Sequence, residues 1–132
     1  MSAVRNINVF VADDSIVLRE RLLEMLSEIP GVEVLGCAAD GLHAINCIRK
    51  LKPDAVVLDI QMPCGTGLDV LKNIKRDGDG PLVIVFTNFP YPQYRKRALE
   101  SGAEFFFDKT TEFEKLRELF GQLTGNLEPQ PH

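Results

Sequence analysis

The run Ala55-Val56-Val57-Leu58 ends on Asp59, with Pro53 just ahead of it and Ile60-Gln61-Met62-Pro63 behind. Four apolar residues in succession leave no polar face. The segment therefore reads as a short strand buried on both sides, as in a parallel sheet covered by helices. A carboxylate at the end of such a strand is expensive to bury and needs a partner or a metal. In open parallel sheets, ligand sites form just beyond the carboxyl ends of the strands, which makes Asp59 the first candidate for chemistry. Taken alone, the stretch equally describes a strand that stops at a solvated turn aspartate.

The flanking chain alternates strand and helix. Asn6 to Ala12 is a β-rich apolar segment ending in Asp13-Asp14-Ser15. Two adjacent like charges there repel one another unless something positive sits between them. Ser15 is placed to N-cap a helix in which Val17-Leu18, Leu22, Met25-Leu26 and Ile29 recur at helical spacing, stopped by Pro30-Gly31. Val32 to Ala38 reads as a second strand. Asp40-Gly41 opens a helix through Leu42, Ala44-Ile45 and Ile48 to Leu51, with His43 on its surface.

Beyond Pro63, Thr66-Gly67-Leu68-Asp69 fits a capping box ahead of a helix through Val70-Leu71 and Ile74. Asp77-Gly78-Asp79-Gly80-Pro81 is a turn cluster. Leu82 to Phe86 is another nearly all-apolar strand, ending at Thr87-Asn88. Pro92 starts a short basic helix through Arg95-Lys96-Arg97 to Glu100. Ala103 to Phe107 is the fifth strand, followed by Asp108-Lys109. Thr111 with Glu114 predicts a second capping box, for a helix through Phe113, Leu116, Leu119-Phe120 and Leu123.

Strands alternating with helices over 132 residues predict one α/β domain with a parallel sheet, right-handed crossovers and the two most apolar strands at its centre. The domain is expected over residues 1–124, with a short polar tail over 125–132. A formal charge of −4 makes no electrostatic case for a nucleic-acid or membrane partner. No apolar run approaches the ~20 residues that span a bilayer, and Met1 to Arg5 lacks the apolar stretch of a secretory signal. Cys37, Cys47 and Cys64 form neither a Cys-x-x-Cys pair nor a zinc spacing, which suits reduced thiols in the cytoplasm.

In a parallel sheet Asp13, Asp14, Asp59, Thr87 and Lys109 all emerge on one edge. Crowded carboxylates call for a hard divalent cation, and Mg²⁺ takes a few carboxylates together with carbonyl oxygen and water. Lys109 adds a point positive charge and Thr87 a small hydroxyl donor. The combination describes a site that accepts a phosphoryl group on a carboxylate. Polar residues at strand ends are ordinary in any α/β protein; the weight lies in having all five at the expected ends.

With Val11-Ala12-Asp13-Asp14-Ser15, Leu58-Asp59-Ile60-Gln61-Met62-Pro63, Gly67-Leu68, Phe86-Thr87 and Phe106-Phe107-Asp108-Lys109, the chain resembles the receiver domain of two-component response regulators over roughly residues 6 to 123. The resemblance implies a flavodoxin-like, doubly wound (βα)5 fold with strand order 2-1-3-4-5. It implies that Asp59 takes a phosphoryl group from a histidine kinase, a phosphorelay protein or acetyl phosphate. Asp14, Asp59 and the backbone carbonyl of Gln61 would ligate Mg²⁺ directly, and Asp13 through water. Thr87 and Lys109 would hold phosphoryl oxygens, and Thr87 with Phe106 would form the switch. The fourth helix, fifth strand and fifth helix would present the surface for a downstream protein or a phosphorylation-dependent homodimer.

The resemblance implies no enzyme beyond slow self-dephosphorylation, since Gln61 stands where a haloacid-dehalogenase-type hydrolase has a second Asp. Departures are Asn88 after Thr87, Thr110 in place of a proline (hence an expected trans bond), Phe106 without the common hydroxyl, and Pro90 and Pro92 before an atypical, short fourth helix. The chain reads as a stand-alone receiver. The alternatives are a phosphate-independent interaction module and a piece of a longer DNA-binding regulator.

Overall fold

In the computed structural model, which describes residues 6–76, 78 and 80–125, strands and helices alternate along the chain. The elements are β1 (Ile7–Ala12), α1 (Ile16–Ser27), β2 (Val32–Ala38), α2 (Gly41–Leu51), β3 (Ala55–Leu58), α3 (Gly67–Lys75), β4 (Leu82–Thr87), α4 (Pro92–Glu100), β5 (Phe105–Asp108) and α5 (Phe113–Thr124). All paired strands run parallel in the order β2-β1-β3-β4-β5. This is the flavodoxin-like arrangement, with the two apolar strands β3 and β4 inside the sheet.

Side chains of successive strand residues point to opposite faces, so each inner strand feeds two cores. Phe10, Ala12, Val56, Leu58, Val83 and Val85 belong to the cluster completed by Ala44 and Ile48 of α2, Val70 and Leu71 of α3 and Ala98 of α4. Val9, Val11, Val57, Ile84 and Phe86 belong to the other, completed by Leu22 and Leu26 of α1 and Leu116 and Phe120 of α5. Burying each such side chain fully is worth about 1.5–3 kcal/mol, and this double burial is why β3 has no polar residue.

Most helix starts follow the local chemistry. The Ser15 hydroxyl accepts Leu18 N–H, Asp40 accepts His43 N–H, and Thr66 with Asp69 forms the reciprocal capping box. His43 is exposed. The capping box expected at Thr111 and Glu114 is not formed. Helix α5 begins one residue later, with Glu112 before its first turn and no side-chain cap. Glu112 instead accepts Asp108 N–H at 2.9 Å and pairs with Lys115 at 2.9 Å. The reason lies upstream, where Asp108 Oδ1 takes Thr110 N–H at 2.8 Å and turns the chain before the helix can start.

Pro92 opens α4 as expected, and no peptide bond among the described residues is cis, so Lys109–Thr110 is trans. All three cysteines are free. Among the described residues, no helix is long and apolar enough to cross a membrane. Met1 to Arg5, Asp77 and Asp79 of the turn cluster, and residues 126–132 of the expected tail lie outside the described residues.

Candidate functional site

Register decides which strand ends meet. Ala12 pairs with Leu58, Leu58 with Val85, and Thr87 with Asp108. Asp13 and Asp59 therefore leave neighbouring strands at one level, with Thr87 one residue further out on β4. Backbone bonds continue the ladder past the strands: Asp59 N–H donates to the Ala12 carbonyl at 2.9 Å and Lys109 N–H to the Thr87 carbonyl at 2.9 Å.

On this edge Asp13, Asp59, Thr87 and Lys109 are all buried, at 2, 5, 0 and 7% exposure. Lys109 reaches back from β5 across β4, placing its Nζ 2.9 Å from Asp59 Oδ2 and 2.5 Å from Asp13 Oδ2. The ammonium stands between Asp13 and Asp59, which come from different strands, and not between the consecutive Asp13 and Asp14; it compensates the buried carboxylates. Asp14 is exposed, and its carboxylate lies with those of Asp13 and Asp59 in a cluster whose ligand atoms are all within 4.8 Å of one another.

Other contacts orient these groups. Asp13 Oδ1 accepts Ser15 N–H at 2.9 Å, and Asp59 Oδ1 accepts Gln61 N–H at 3.3 Å. The Thr87 hydroxyl oxygen accepts Phe89 N–H at 3.0 Å, which leaves its proton for another acceptor. Burial pushes the Asp59 carboxyl above the ordinary aspartate range; Lys109 works against the rise, and the Asp13 charge adds to it.

The structure brings together Asp13, Asp14, Asp59, Thr87 and Lys109, with Gln61 in the loop directly behind Asp59. Phe106 sits further back on β5. It is buried at 4% exposure in the core under α4, and the Arg95 guanidinium lies 5.7 Å from its ring centroid. Asn88 is exposed. Arg19 escaped the sequence reading. Its guanidinium donates to the Asp13 carbonyl at 2.8 Å, and in the sequence it looked like any charged residue on the outer face of α1.

A buried carboxylate held by a lysine, with two more carboxylates and a buried hydroxyl beside it, can act as an oxygen nucleophile toward an anionic group. The surrounding donors can neutralise the charge that builds up, and the carboxylate cluster has the hard-oxygen character of a divalent-cation site.

A family model for the response regulator receiver domain matches residues 9–120. Protein-glutamate methylesterase/protein-glutamine glutaminase 1 of Methanospirillum hungatei is 38% identical over 123 residues, 92% of this chain and 36% of that protein. The transcriptional regulatory protein YvfU of Bacillus subtilis is 34% identical over 110 residues, 83% of this chain and 55% of that protein. The chain thus spans only about a third to a half of the length of these relatives. The response regulator domain of CheB from Thermotoga maritima superposes with a TM-score of 0.81 at 31% identity, covering 95% of this chain and all of that one. By fold, strand-end arrangement and sequence match, the chain belongs to the response regulator receiver domain family.

Proposed function

We propose that Asp59 is the phosphoacceptor of this receiver and that its phosphorylation switches the surface formed by α4, β5 and α5. The observation that carries the reading is Lys109 Nζ, held between the buried carboxylates of Asp13 and Asp59. In the transfer, an Asp59 carboxylate oxygen attacks the phosphorus of a phosphohistidine. The P–O bond forms as the P–N bond breaks, and its electron pair leaves with the imidazole of a sensor histidine kinase or histidine phosphotransfer protein. Lys109 and the Thr87 hydroxyl then hold phosphoryl oxygens, and Thr87 with Phe106 forms the switch.

The donor set suits Mg²⁺: Asp14, Asp59 and the Gln61 carbonyl would hold it directly, and Asp13 through water. When bound, it neutralises charge gathering on the phosphoryl oxygens. We assign the domain to residues 1–124 and the polar tail to 125–132. The activity is stoichiometric phosphate acceptance followed by slow self-hydrolysis, in the cytoplasm.

The modest share of each relative that the chain spans supports a second reading of the output, in which this receiver governs a separate effector domain. Incubation with Mg²⁺ and acetyl phosphate is expected to add about 80 Da to the wild type and nothing to Asp59→Asn. Equal labelling of both proteins overturns the assignment.

A further inference from the structure

The first turn of α2 is closed by the loop that follows β3. Gly41 N–H donates to the Pro63 carbonyl at 3.0 Å, and Leu42 N–H donates to the Cys64 carbonyl at 3.0 Å. Two of the donors that a helix start leaves without intrahelical partners are thus taken by backbone from another element. Asp40 takes a third, from His43, at 2.8 Å. The loop reaches α2 through two consecutive left-handed residues, Cys64 at φ 56° and Gly65 at φ 105°.

The approach leaves no room for a side chain. A Cβ on Gly41 would stand 2.3 Å from the Gly65 carbonyl oxygen and 2.9 Å from that of Cys64. Both are backbone atoms, so no flexible side chain can yield. The base of the loop is gripped in the same way: Gly67 N–H donates to the Ile60 carbonyl at 2.8 Å, and a Cβ on Gly67 would meet the Asp59 carbonyl oxygen at 2.0 Å. Gln61 lies between the two grips, with its N–H on Asp59 Oδ1.

We propose that Gly41 is a positioning residue for the phosphoacceptor site: by docking the first turn of α2 on Pro63–Gly65, it fixes the path of the β3–α3 loop and so the place of the Gln61 carbonyl. This rests on the reading of Gln61 as a magnesium ligand. Linkage is reciprocal, so a cation that orders the loop also tightens the first turn of α2.

The test is Mg²⁺ affinity, by calorimetric titration of wild type, Gly41→Ala and Ile48→Val, together with amide exchange of the wild type. Ile48 is buried two turns further along α2, so its shortening loosens the packing of the helix without touching the loop. Gly41→Ala is expected to weaken Mg²⁺ binding about tenfold, as supporting contacts around metal ligands do, and Ile48→Val to lower Tm while leaving affinity unchanged. Mg²⁺ is expected to slow exchange at the Gly41 and Leu42 amides of the wild type, a readout that stands even if Gly41→Ala does not fold.

An equal loss of affinity in both variants overturns the proposal, as does unchanged affinity in a folded Gly41→Ala or exchange that ignores Mg²⁺. A wild type that takes no Mg²⁺ removes the metal reading and this one together. Binding that Gly41→Ala does not weaken removes this one alone.

Discussion

Asp59 is held between opposing influences: burial and the neighbouring Asp13 disfavour its charge, while Lys109 favours it, and the balance is a raised pKa. A carboxyl with a higher pKa folded than unfolded binds its proton more tightly in the folded chain. Its contribution to stability is then complete below the unfolded value and lost as pH rises through the folded one. At neutral pH the charged Asp59 therefore weighs against the fold. Asp59→Asn is expected to melt a few degrees above the wild type around pH 7, the gap closing as pH falls to about 4. Lys109 keeps Asp13 as its partner in this variant, so no buried charge is orphaned. Scanning calorimetry at the two pH values checks the sign; a lower Tm around pH 7 would mean that Lys109 outweighs burial. The candidacy of Asp59, Thr87 and Lys109 was legible from their places at strand ends. That one ammonium spans two carboxylates was not, because Asp13, Asp59 and Lys109 lie far apart in the chain and only the folded sheet sets their separation.

Helix starts show how far local rules reach. Both Thr66–Asp69 and Thr111–Glu114 carry the capping-box pattern, and only the first forms, with Thr66 Oγ1 accepting Asp69 N–H at 3.3 Å and Asp69 accepting Thr66 N–H at 3.2 Å. Thr66→Ala is expected to lower stability by about 1 kcal/mol, and Thr111→Ala to stay within about 0.5 kcal/mol of the wild type. Urea denaturation separates the two, and equal losses would mean that the second box forms in solution. At the start of α5 the working group is Glu112, whose carboxyl is held below the usual range by the Lys115 hydrogen bond and by Asp108 N–H. A depressed folded pKa contributes stability above the unfolded value and loses it as pH falls through the folded one. The loss in Glu112→Gln is accordingly expected near neutral pH and absent in acid. The sequence pattern placed this helix one residue early, because the Asp108 turn that delays it is set by the chain's exit from β5 toward the site.

Across the whole molecule, carboxylates from β1 and β3 share one edge with a lysine from β5, and a cation bound there couples to global stability. Mg²⁺ at a hundred times its Kd is expected to stabilise the chain by about 2.7 kcal/mol, reversibly with chelator. In Asp14→Asn, whose side chain is exposed, the rise is expected to shrink sharply while metal-free stability stays within about 0.5 kcal/mol of the wild type. A full rise in that variant would remove Asp14 from the ligand set. The amino-acid sequence by itself determined the alternation of strands and helices, the burial of β3 and β4 on both faces, and the polar residues at the ends of β1, β3, β4 and β5. Hydrophobic period and turn chemistry act within a few residues and survive in the linear text. The motif resemblance supplied the strand order. Only the tertiary structure decided that Lys109 bridges Asp13 and Asp59, that Arg19 holds the Asp13 carbonyl, that Glu112 replaces the expected cap, and that Gly41 docks on the β3–α3 loop. The Lys109 and Gly41 contacts depend on parallel register and helix packing that bring distant residues within ångströms, while those of Arg19 and Glu112 join near neighbours and depend on how the chain turns as it leaves β1 and β5.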